Sequence, residues 1–163
     1  MTNTTPDVHY LNHGSFGACP TPVFAEYQRL QRELEAEPVD FLDLHRSFPA
    51  RMAAARVALA DYLGAAADEI VFVPNATTGV NVVARSLALR PGDEVLSCDH
   101  EYGAMDRTWN FITRQNGAKY IHQPIPTPVT THEEFVETFW SGVTENTKII
   151  FLSHITTQTA ISP

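Results

Sequence analysis

The chain has 163 residues, of which 44% are hydrophobic, and its formal net charge is -8 at pH 7. A chain of this length buries roughly two-thirds of the surface that its unfolded form exposes, which suits one ordinary globular domain. The acidic balance and the lack of any lysine and arginine cluster argue against nucleic acid and anionic membranes as partners, because both need concentrated positive charge. Small molecules and other proteins remain as the expected partners.

The two cysteines, Cys19 and Cys98, are far apart, and no apolar leader segment precedes them. The disulfide framework of a secreted protein is therefore not expected, and a reducing cytoplasm is the predicted compartment. No apolar run approaches the roughly 18 residues that a membrane-spanning helix needs.

The front of the chain predicts an arm followed by helices. Residues 1–8 are polar and are expected to be loose, and residues 10–22 form an irregular segment that contains glycine. After a connector, an alanine-rich helix is expected to bury Met52, Val57, Leu59 and Leu63. The first helix is predicted to have Thr21 as N-cap and Pro22 at its first position, and to stop at Pro38. The second, alanine-rich helix is predicted at residues 49–63 and is closed by Gly64.

Farther along, strand patterns alternate with helical patterns. This alternation implies right-handed crossovers and a parallel, doubly wound sheet, so the predicted fold class is α/β. The predicted strands are 70–73, 94–98, 119–123 and 149–154. Two helices are predicted at 78–89 and 105–116. A third helix follows a proline-broken loop at 124–130 and begins with a capping box formed by Thr131 and Glu134.

Three connections follow predicted strands at the edge where ligands bind in such sheets. We call residues 74–79 (PNATTG) the first loop, residues 99–103 (DHEYG) the second loop and residues 156–159 (TTQT) the third loop. All three are rich in small or polar residues, so each is a candidate for binding a ligand.

The first loop leads directly into a helix, and a helix N-terminus leaves N–H groups unpaired and carries partial positive charge. Ala76, Thr77 and Thr78 supply donors with little bulk, which favours a bound phosphate. The alternative is that Asn75 or Thr77 only caps the helix. No Walker loop and no G-x-G-x-x-G occurs in the sequence, which disfavours nucleoside triphosphates and dinucleotides.

The second loop offers an aromatic ring, since Tyr102 stands where a ring can stack on a flat ligand. The alternative for Tyr102 is a core tyrosine. His100 and Glu101 are residue types that bind metals, but the spacing of a metal site is missing and no metal is expected. Ser153 and His154 are neighbours on a strand and point to opposite faces, so they do not form a nucleophile–base pair.

Four segments carry a family resemblance, and they are YLNHGSFG at 10–17, NATTGVN at 75–81, HEYGAMDRTW at 100–109 and FLSHITTQTAISP at 151–163. In this order and spacing they resemble the class V aminotransferase group of fold-type I pyridoxal phosphate enzymes. Within that group they look most like isopenicillin N epimerase-like proteins, which are relatives of the cysteine desulfurases. The resemblance covers the chain from Tyr10 onward.

The resemblance implies a set of cofactor contacts. The backbone and hydroxyl groups of Ala76 and Thr77 would hold the phosphate of pyridoxal 5'-phosphate. Tyr102 would stack on the pyridine ring, at a position where desulfurases carry a histidine. Thr157 would form a hydrogen bond near the phenolic oxygen of the cofactor.

The resemblance also implies a substrate border, a domain division and a homodimer. Asn12 and His13 would border the substrate pocket, although His13 has the alternative role of a hydrogen bond within its own loop. The implied division is an N-terminal arm with the loop bordering the active site (1–21), N-terminal helices (22–64) and the first part of the cofactor-binding large domain (65–163).

Pyridoxal phosphate chemistry needs a lysine for the Schiff base and a carboxylate beside the pyridine nitrogen. The sequence contains only Lys119 and Lys148. Both begin predicted strands at the edge opposite the three loops, so we interpret them as solvated turn residues. In the family the lysine and the aspartate come later than a position equivalent to Pro163, so we expect this chain to be the N-terminal half of a larger enzyme and to be inactive alone.

The predicted function is therefore a pyridoxal phosphate enzyme that acts on an amino acid or its derivative through an aldimine, by epimerisation, C–S lysis or transamination. Cysteine desulfurase is an alternative, which the tyrosine at position 102 weakens, and Cys98 is expected to be a buried structural thiol. Two further alternatives are a non-catalytic assembly module and an α/β domain that binds another phosphate ligand.

Overall fold

The structure is a computed structural model that describes residue 5, residues 7–129 and residues 131–162. Most of the loose leader expected at residues 1–8 lies outside the described residues, as do Thr130 at the end of the proline-broken loop and Pro163. The chain divides into two compact units, Met1–Val71 and Phe72–Pro163. The first unit contains helices only, and the second contains both helices and strands.

The helices of the first unit are close to their predicted limits. The N–H of Phe24 donates to the carbonyl of Pro20 at 2.9 Å, so Pro20 is the N-cap and the predicted cap at Thr21 was one residue late. Gly64 ends the third helix in the left-handed conformation (φ 67°), as predicted. The three helices are α1 (Thr21–Ala36), α2 (Pro38–Leu42) and α3 (Ser47–Leu63).

Helix α2 and the exposure of α3 were not predicted. Helix α2 lies in the expected connector and begins at Pro38, which also ends α1 as predicted. Val57 and Leu63 of α3 are 49% and 58% exposed, so their predicted burial was wrong. A helix buries its apolar stripe only where another element covers it. Within this unit α1 packs on α2, and α3 contacts α2 and a short 3-10 helix at Ala67–Glu69, yet Val57 and Leu63 stay exposed.

The second unit contains a parallel sheet with strand order β2-β1-β3. Strand β1 is buried along its whole length, which is typical of the central strand of a parallel sheet that is covered on both faces. The predicted limits of β1 and β2 are confirmed. The strands are β1 (Glu94–Cys98), β2 (Lys119–Gln123) and β3 (Thr147–Ile150), and the helices are α4 (Ala76–Ser86), α5 (Gly103–Asn116) and α6 (His132–Trp140).

Two apolar clusters lie on opposite faces of the sheet. Val95 of β1 packs with Trp109 of α5 and Ala84 of α4 on one face. Leu96 of β1 packs with Phe135 of α6 on the other face. Because neighbouring strand residues point to opposite faces, helices cover the sheet on both sides. The predicted doubly wound α/β fold class is confirmed.

Two predicted strands differ from the structure. Residues 70–73 belong to no hydrogen-bonded strand, and Val71 is 78% exposed. A β-branched run forms a strand only where a neighbour pairs with it, and the described residues provide no such neighbour. Strand β3 begins two residues before the predicted 149–154 and stops at Ile150, although the N–H of Phe151 still donates to the carbonyl of Leu96 at 2.9 Å.

Candidate functional site

The three loops meet at the carboxyl edge of the sheet. Strands β1 and β3 are parallel neighbours, so the second loop, which follows β1, and the chain after β3 leave from the same edge. Besides their apolar packing, helices α4 and α5 make a hydrogen bond and a cation–π contact. Asn81 donates to the hydroxyl of Thr108 at 3.1 Å, and the Arg85 guanidinium lies 5.5 Å from the centre of the Phe111 ring.

These two contacts fix the relative direction of the helices. From Asn81 to Arg85 on α4, the partner on α5 also advances along the chain, from Thr108 to Phe111. The helices therefore run parallel, and their N-termini lie at the same end. The start of α4 in the first loop and the start of α5 beside Tyr102 are thus brought to one edge of the sheet.

The N-terminus of α4 is capped by Asn75. The side-chain oxygen of Asn75 accepts a hydrogen bond from the N–H of Thr78 at 2.8 Å and one from the Thr78 hydroxyl at 3.1 Å. The capping role that the sequence left as an alternative is therefore real. It satisfies only part of the first turn, because the N–H groups of Ala76 and Thr77 precede the first intrahelical hydrogen bond. Two backbone donors at this helix end remain for an anion, so capping and anion binding are compatible.

Tyr102 stands at the N-terminus of α5. Its carbonyl is the first acceptor of the helix and receives the N–H of Met105 at 2.7 Å and that of Asp106 at 3.2 Å. The side chain is 49% exposed, so the alternative of a core tyrosine was wrong. The backbone of Tyr102 is held by the helix while its ring faces away from the core, which is what a stacking residue requires.

Glu101 is buried, with 1% of its surface exposed. Its carboxylate accepts hydrogen bonds from the backbone N–H of Ser153 at 2.6 Å and from the Ser153 hydroxyl at 2.7 Å. The sequence pattern drew attention to Glu101 only as a metal-ligand type and missed this role. A glutamate in a loop ordinarily faces solvent, and nothing in the local pattern marks Ser153 as its partner.

A second contact joins the second and third loops. The Thr159 hydroxyl lies 3.1 Å from Nδ1 of His100, and it also lies 2.9 Å from the hydroxyl of Thr156, which is buried. Thr157, the predicted neighbour of the cofactor oxygen, is exposed in the turn of the third loop. Thr157 therefore lies on the segment that Thr156 and Thr159 hold against the second loop.

Asn12 and His13 belong to the first unit, and both are exposed. Nδ1 of His13 accepts a hydrogen bond from the N–H of Ala18 at 3.3 Å, and its ring packs edge-on against Tyr10 with 4.9 Å between ring centres. The alternative of a hydrogen bond within its own loop is therefore present for His13. The role of Asn12 and His13 at a substrate pocket stays a prediction.

Both lysines lie toward the opposite edge of the sheet. Lys119 opens β2 and pairs in register with Glu94, the first residue of β1, and Nζ of Lys119 lies 3.5 Å from Oε1 of Glu94. Lys148 is the second residue of β3. Both side chains are exposed, which confirms their interpretation as solvated residues away from the loops.

The first turn of α5 is also held from β2. The Tyr120 hydroxyl donates to Oδ1 of Asp106 at 2.9 Å, and Nε2 of His122 lies 3.1 Å from the same oxygen. Burial raises the pKa of Tyr120, and the nearby Asp106 carboxylate acts in the same direction. Asp106 follows Tyr102 by one helical turn, so this cluster fixes the end of α5 that carries Tyr102.

The cysteines and acidic residues offer little further chemistry. Cys98 is buried, as expected for a structural thiol, and burial raises the pKa of its thiol. Within the described residues, no three histidine, cysteine, aspartate or glutamate side chains are grouped so as to hold a metal ion. None of the described helices is long and apolar enough to cross a membrane.

Residues 9–161 match the sequence model of a family described as Aminotransferase class-V. Among curated proteins, the isopenicillin N epimerase of Amycolatopsis lactamdurans is 35% identical over 160 residues, which is 96% of this chain and 39% of that protein. The putative L-cysteine desulfhydrase 1 of Oryza sativa subsp. japonica is 27% identical over 165 residues, which is 93% of this chain and 34% of that protein. The chain thus spans well under half the length of these relatives.

The cystine C-S lyase C-DES has the same fold over the region compared. Its structure in complex with its reaction product, cysteine persulfide, has a TM-score of 0.84 and 22% sequence identity, and the match covers 94% of this chain and 40% of that one. A second C-DES structure, a mutant with glycine covalently linked to the PLP cofactor, has a TM-score of 0.82 and 22% identity, and the match covers 93% of this chain and 39% of that one.

Proposed function

Because the chain belongs to the class-V aminotransferase family, we propose that it supplies the front part of an enzyme that uses pyridoxal 5'-phosphate and acts on an amino acid or an amino-acid derivative. The observation that carries this proposal is the shared edge of the first two loops. There, one helix N-terminus offers donors for an anion and the next offers an exposed aromatic ring.

The donors of the first loop fit the phosphate of this cofactor. The N–H groups of Ala76 and Thr77 precede the first intrahelical bond, and the Thr77 hydroxyl is close to them in the chain. Small side chains let an anion approach the backbone, and the partial positive charge of the helix end favours it. Asn75 and Thr78 hold this turn in place without using those two donors.

The exposed ring of Tyr102 fits the flat pyridine ring. We propose that it stacks on one face of the cofactor, while Thr157 of the third loop approaches the phenolic oxygen. Pyridoxal phosphate, when bound, serves as the electron sink for a carbanion formed beside the substrate amine. The residues of this chain would bind and orient the cofactor, and Asn12 and His13 would border the substrate.

A covalent link to the cofactor requires a lysine that these loops do not carry. Lys119 lies beside Glu94 at the start of the sheet strands, and Lys148 is near the same end of β3. The curated relatives are more than twice as long as this chain. We therefore propose that the lysine and the carboxylate beside the pyridine nitrogen come from the remainder of a longer protein.

We propose that the reaction is an isomerisation or a lyase reaction and not transamination or cysteine desulfuration. The residue proposed to face the cofactor ring is Tyr102, where the desulfurase pattern has a histidine. A phenol stacks on the ring but lacks the imidazole that transfers protons near neutral pH. The names of the curated relatives, an epimerase and a desulfhydrase, support the same choice.

The direct test is cofactor binding by the full-length protein that contains this chain. Titration with pyridoxal phosphate, followed by visible absorbance, should saturate at one cofactor per chain. Borohydride reduction should then add the mass of one pyridoxyl group to the intact chain. Absence of both saturable binding and the adduct would overturn the proposal, and a thermal shift by a different phosphate ligand would favour another α/β binding domain.

Variants of Tyr102 make the same test specific to the site. Tyr102→Ala should weaken cofactor affinity about tenfold, because the stacked ring is lost. Tyr102→Phe keeps the ring and should stay within about twofold of the wild type. Equal affinities for the alanine variant and the wild type would contradict the stacking role.

The resemblance also supports a homodimer, and we propose that the full-length protein is a dimer located in the cytoplasm. Light scattering on the purified protein should give twice the mass of the chain. Cell fractionation should recover the protein with cytoplasmic markers. A monomer in light scattering or a membrane-bound fraction would contradict this part of the proposal.

A further inference from the structure

The carboxyl edge of the sheet holds a buried acid next to the proposed stacking residue. Glu101 is 1% exposed and directly precedes Tyr102. Burial of a carboxylate is costly unless hydrogen bonds replace its water. Within the described residues, no lysine or arginine forms an ion pair with Glu101. The replacement for water must therefore come from neutral donors.

Three donors occupy the Glu101 carboxylate. Oε1 accepts the backbone N–H of Ser153 at 2.6 Å. Oε2 accepts the Ser153 hydroxyl at 2.7 Å and the backbone N–H of Tyr102 at 3.3 Å. Both oxygens act as acceptors, so the site is built for a carboxylate and not for an amide or an apolar side chain.

The contacts of Glu101 tie together two segments that leave adjacent strands. Ser153 follows β3 and is separated from Glu101 by 52 positions in the sequence. The same segment leads into the third loop, where Thr159 contacts His100, the residue before Glu101. The second loop is thus attached to the chain after β3 at two consecutive residues.

Tyr102 is fixed on both sides of its backbone by this arrangement. Its N–H donates to Glu101, and its carbonyl accepts the N–H groups of Met105 and Asp106. With the backbone held at φ -69° and ψ 126°, the place of the ring depends only on its two side-chain torsions. A stacking ring that is placed in advance loses less freedom when it binds a ligand.

We propose that Glu101 is a positioning residue, which sets the Tyr102 ring and the segment that carries Thr157 at the correct separation for the cofactor. This inference rests on the proposed function. Glu101 itself does not contact the cofactor in this proposal. It acts through the Tyr102 N–H and through Ser153.

The sharpest test is Glu101→Gln in the full-length protein. Glutamine has nearly the same shape but offers one acceptor and one donor. Its best orientation keeps the oxygen toward the Ser153 N–H and lets the Ser153 hydroxyl accept from the new amide, which leaves the Tyr102 N–H without an acceptor. The variant therefore removes the hold on Tyr102 and keeps the link to Ser153.

Three measurements follow from this change. Amide hydrogen exchange at Tyr102 in the cofactor-free protein should become about tenfold faster. The dissociation constant for pyridoxal phosphate should rise about tenfold, as expected for a lost hydrogen bond to a charged group. The circular dichroism of the bound cofactor in the visible range should change, because the ring beside it is no longer held in one place.

The matched control is Glu94→Gln, the same substitution at the buried glutamate of the opposite edge of the sheet. Glu94 contacts neither Tyr102 nor the segment after β3 in this proposal, so cofactor affinity should stay within about twofold. If Glu101→Gln does not fold, Glu101→Asp replaces it. That variant keeps both acceptors on a shorter side chain and should give intermediate changes in exchange, affinity and dichroism.

The outcomes separate this inference from the proposed function. A wild-type protein that binds no pyridoxal phosphate would overturn the proposed function. A wild-type protein that binds the cofactor, together with a folded Glu101→Gln or Glu101→Asp variant unchanged in all three measurements, would overturn the positioning role alone. Faster exchange at Tyr102 with altered dichroism would support it.

Discussion

The two ends of strand β1 each hold a buried glutamate, and the two glutamates are stabilised differently. Glu94, at the amino end, is 7% exposed and has a cation, Lys119, at 3.5 Å as well as the Thr144 hydroxyl at 2.6 Å. Glu101, just beyond the carboxyl end, accepts hydrogen bonds from Ser153 and the Tyr102 N–H and has no cation partner among the described residues. A cation and a hydroxyl therefore stabilise the Glu94 carboxylate, whereas neutral donors from two loop segments stabilise the Glu101 carboxylate.

Under the proposed function, this difference separates a stabilising edge of the sheet from a binding edge. At the amino edge the buried carboxylate of Glu94 pairs with Lys119 and accepts a hydrogen bond from Thr144. At the carboxyl edge the side chains hold loop backbones in place, while the helix N-terminus at Ala76 and the ring of Tyr102 remain open. The open groups are the ones that a phosphate and a flat ring would use.

The largest expected effect comes from removing each glutamate. Glu101→Ala leaves three partly buried donors without their acceptor and should lower the free energy of unfolding by about 3 kcal/mol. Glu94→Ala should cost only about 1 kcal/mol, because Lys119 is exposed and water replaces its partner. Urea denaturation of both variants of the full-length protein measures the difference. Equal losses would mean that the two ends of β1 are equivalent.

A smaller effect comes from the caps of two helices. Asn75→Ala and Thr131→Ala each remove a side-chain cap, at α4 and at α6, and each should cost about 1 kcal/mol. Only Asn75→Ala should also weaken cofactor affinity, because its helix carries the proposed phosphate donors. Thermal melting and cofactor titration on both variants make the comparison. A loss of affinity in Thr131→Ala of the same size would contradict the assignment of the anion site to α4.

The smallest effect concerns the pH dependence of stability. The folded protein raises the pKa of Tyr120, so above the ordinary tyrosine value of about 10 the unfolded chain loses the phenol proton first. The unfolded state then binds fewer protons than the folded state, and stability falls as pH rises through this range. Tyr120→Phe should remove this alkaline loss and lower stability near neutral pH by about 1 kcal/mol through the lost bond to Asp106.

The measurement for Tyr120 is urea denaturation at several pH values from neutral to alkaline. Tyr120→Phe and the wild type should differ most near neutral pH and converge as pH rises. A constant difference between the two proteins at every pH would show that Tyr120 ionises as readily in the folded protein as in the unfolded chain.

Local pattern was enough to predict two strands of the sheet. The limits of β1 and β2 followed from short segments bounded by turn residues such as Gly92 and Gly117, and both glycines adopt positive φ. The closing glycine of α3 and the cap at Thr131 were equally local. These features depend on neighbours within a few residues, so the sequence contains all the information that they need.

Contacts between residues far apart in the sequence could not be predicted from local pattern. Residues 70–73 have strand composition but no partner among the described residues, and composition does not reveal whether a partner exists. The contact of Glu101 with Ser153 joins positions 52 apart, and its burial depends on two loops arriving together. Ala76, Thr77 and Tyr102 were singled out by local signals, a helix N-terminus and a strand end. Thr157, Asn12 and His13 were proposed from the family resemblance, and neither kind of reasoning predicted the hydrogen bonds of Glu101.

The strand order β2-β1-β3 also has a consequence during synthesis of the protein. The central strand leaves the ribosome first, and its neighbours β2 and β3 follow only after complete crossovers have been made. At ordinary elongation rates of about 5–20 residues per second, β1 waits roughly one to four seconds for β2 and longer for β3. The fully buried strand of the sheet is therefore synthesised before both of the strands that pair with it.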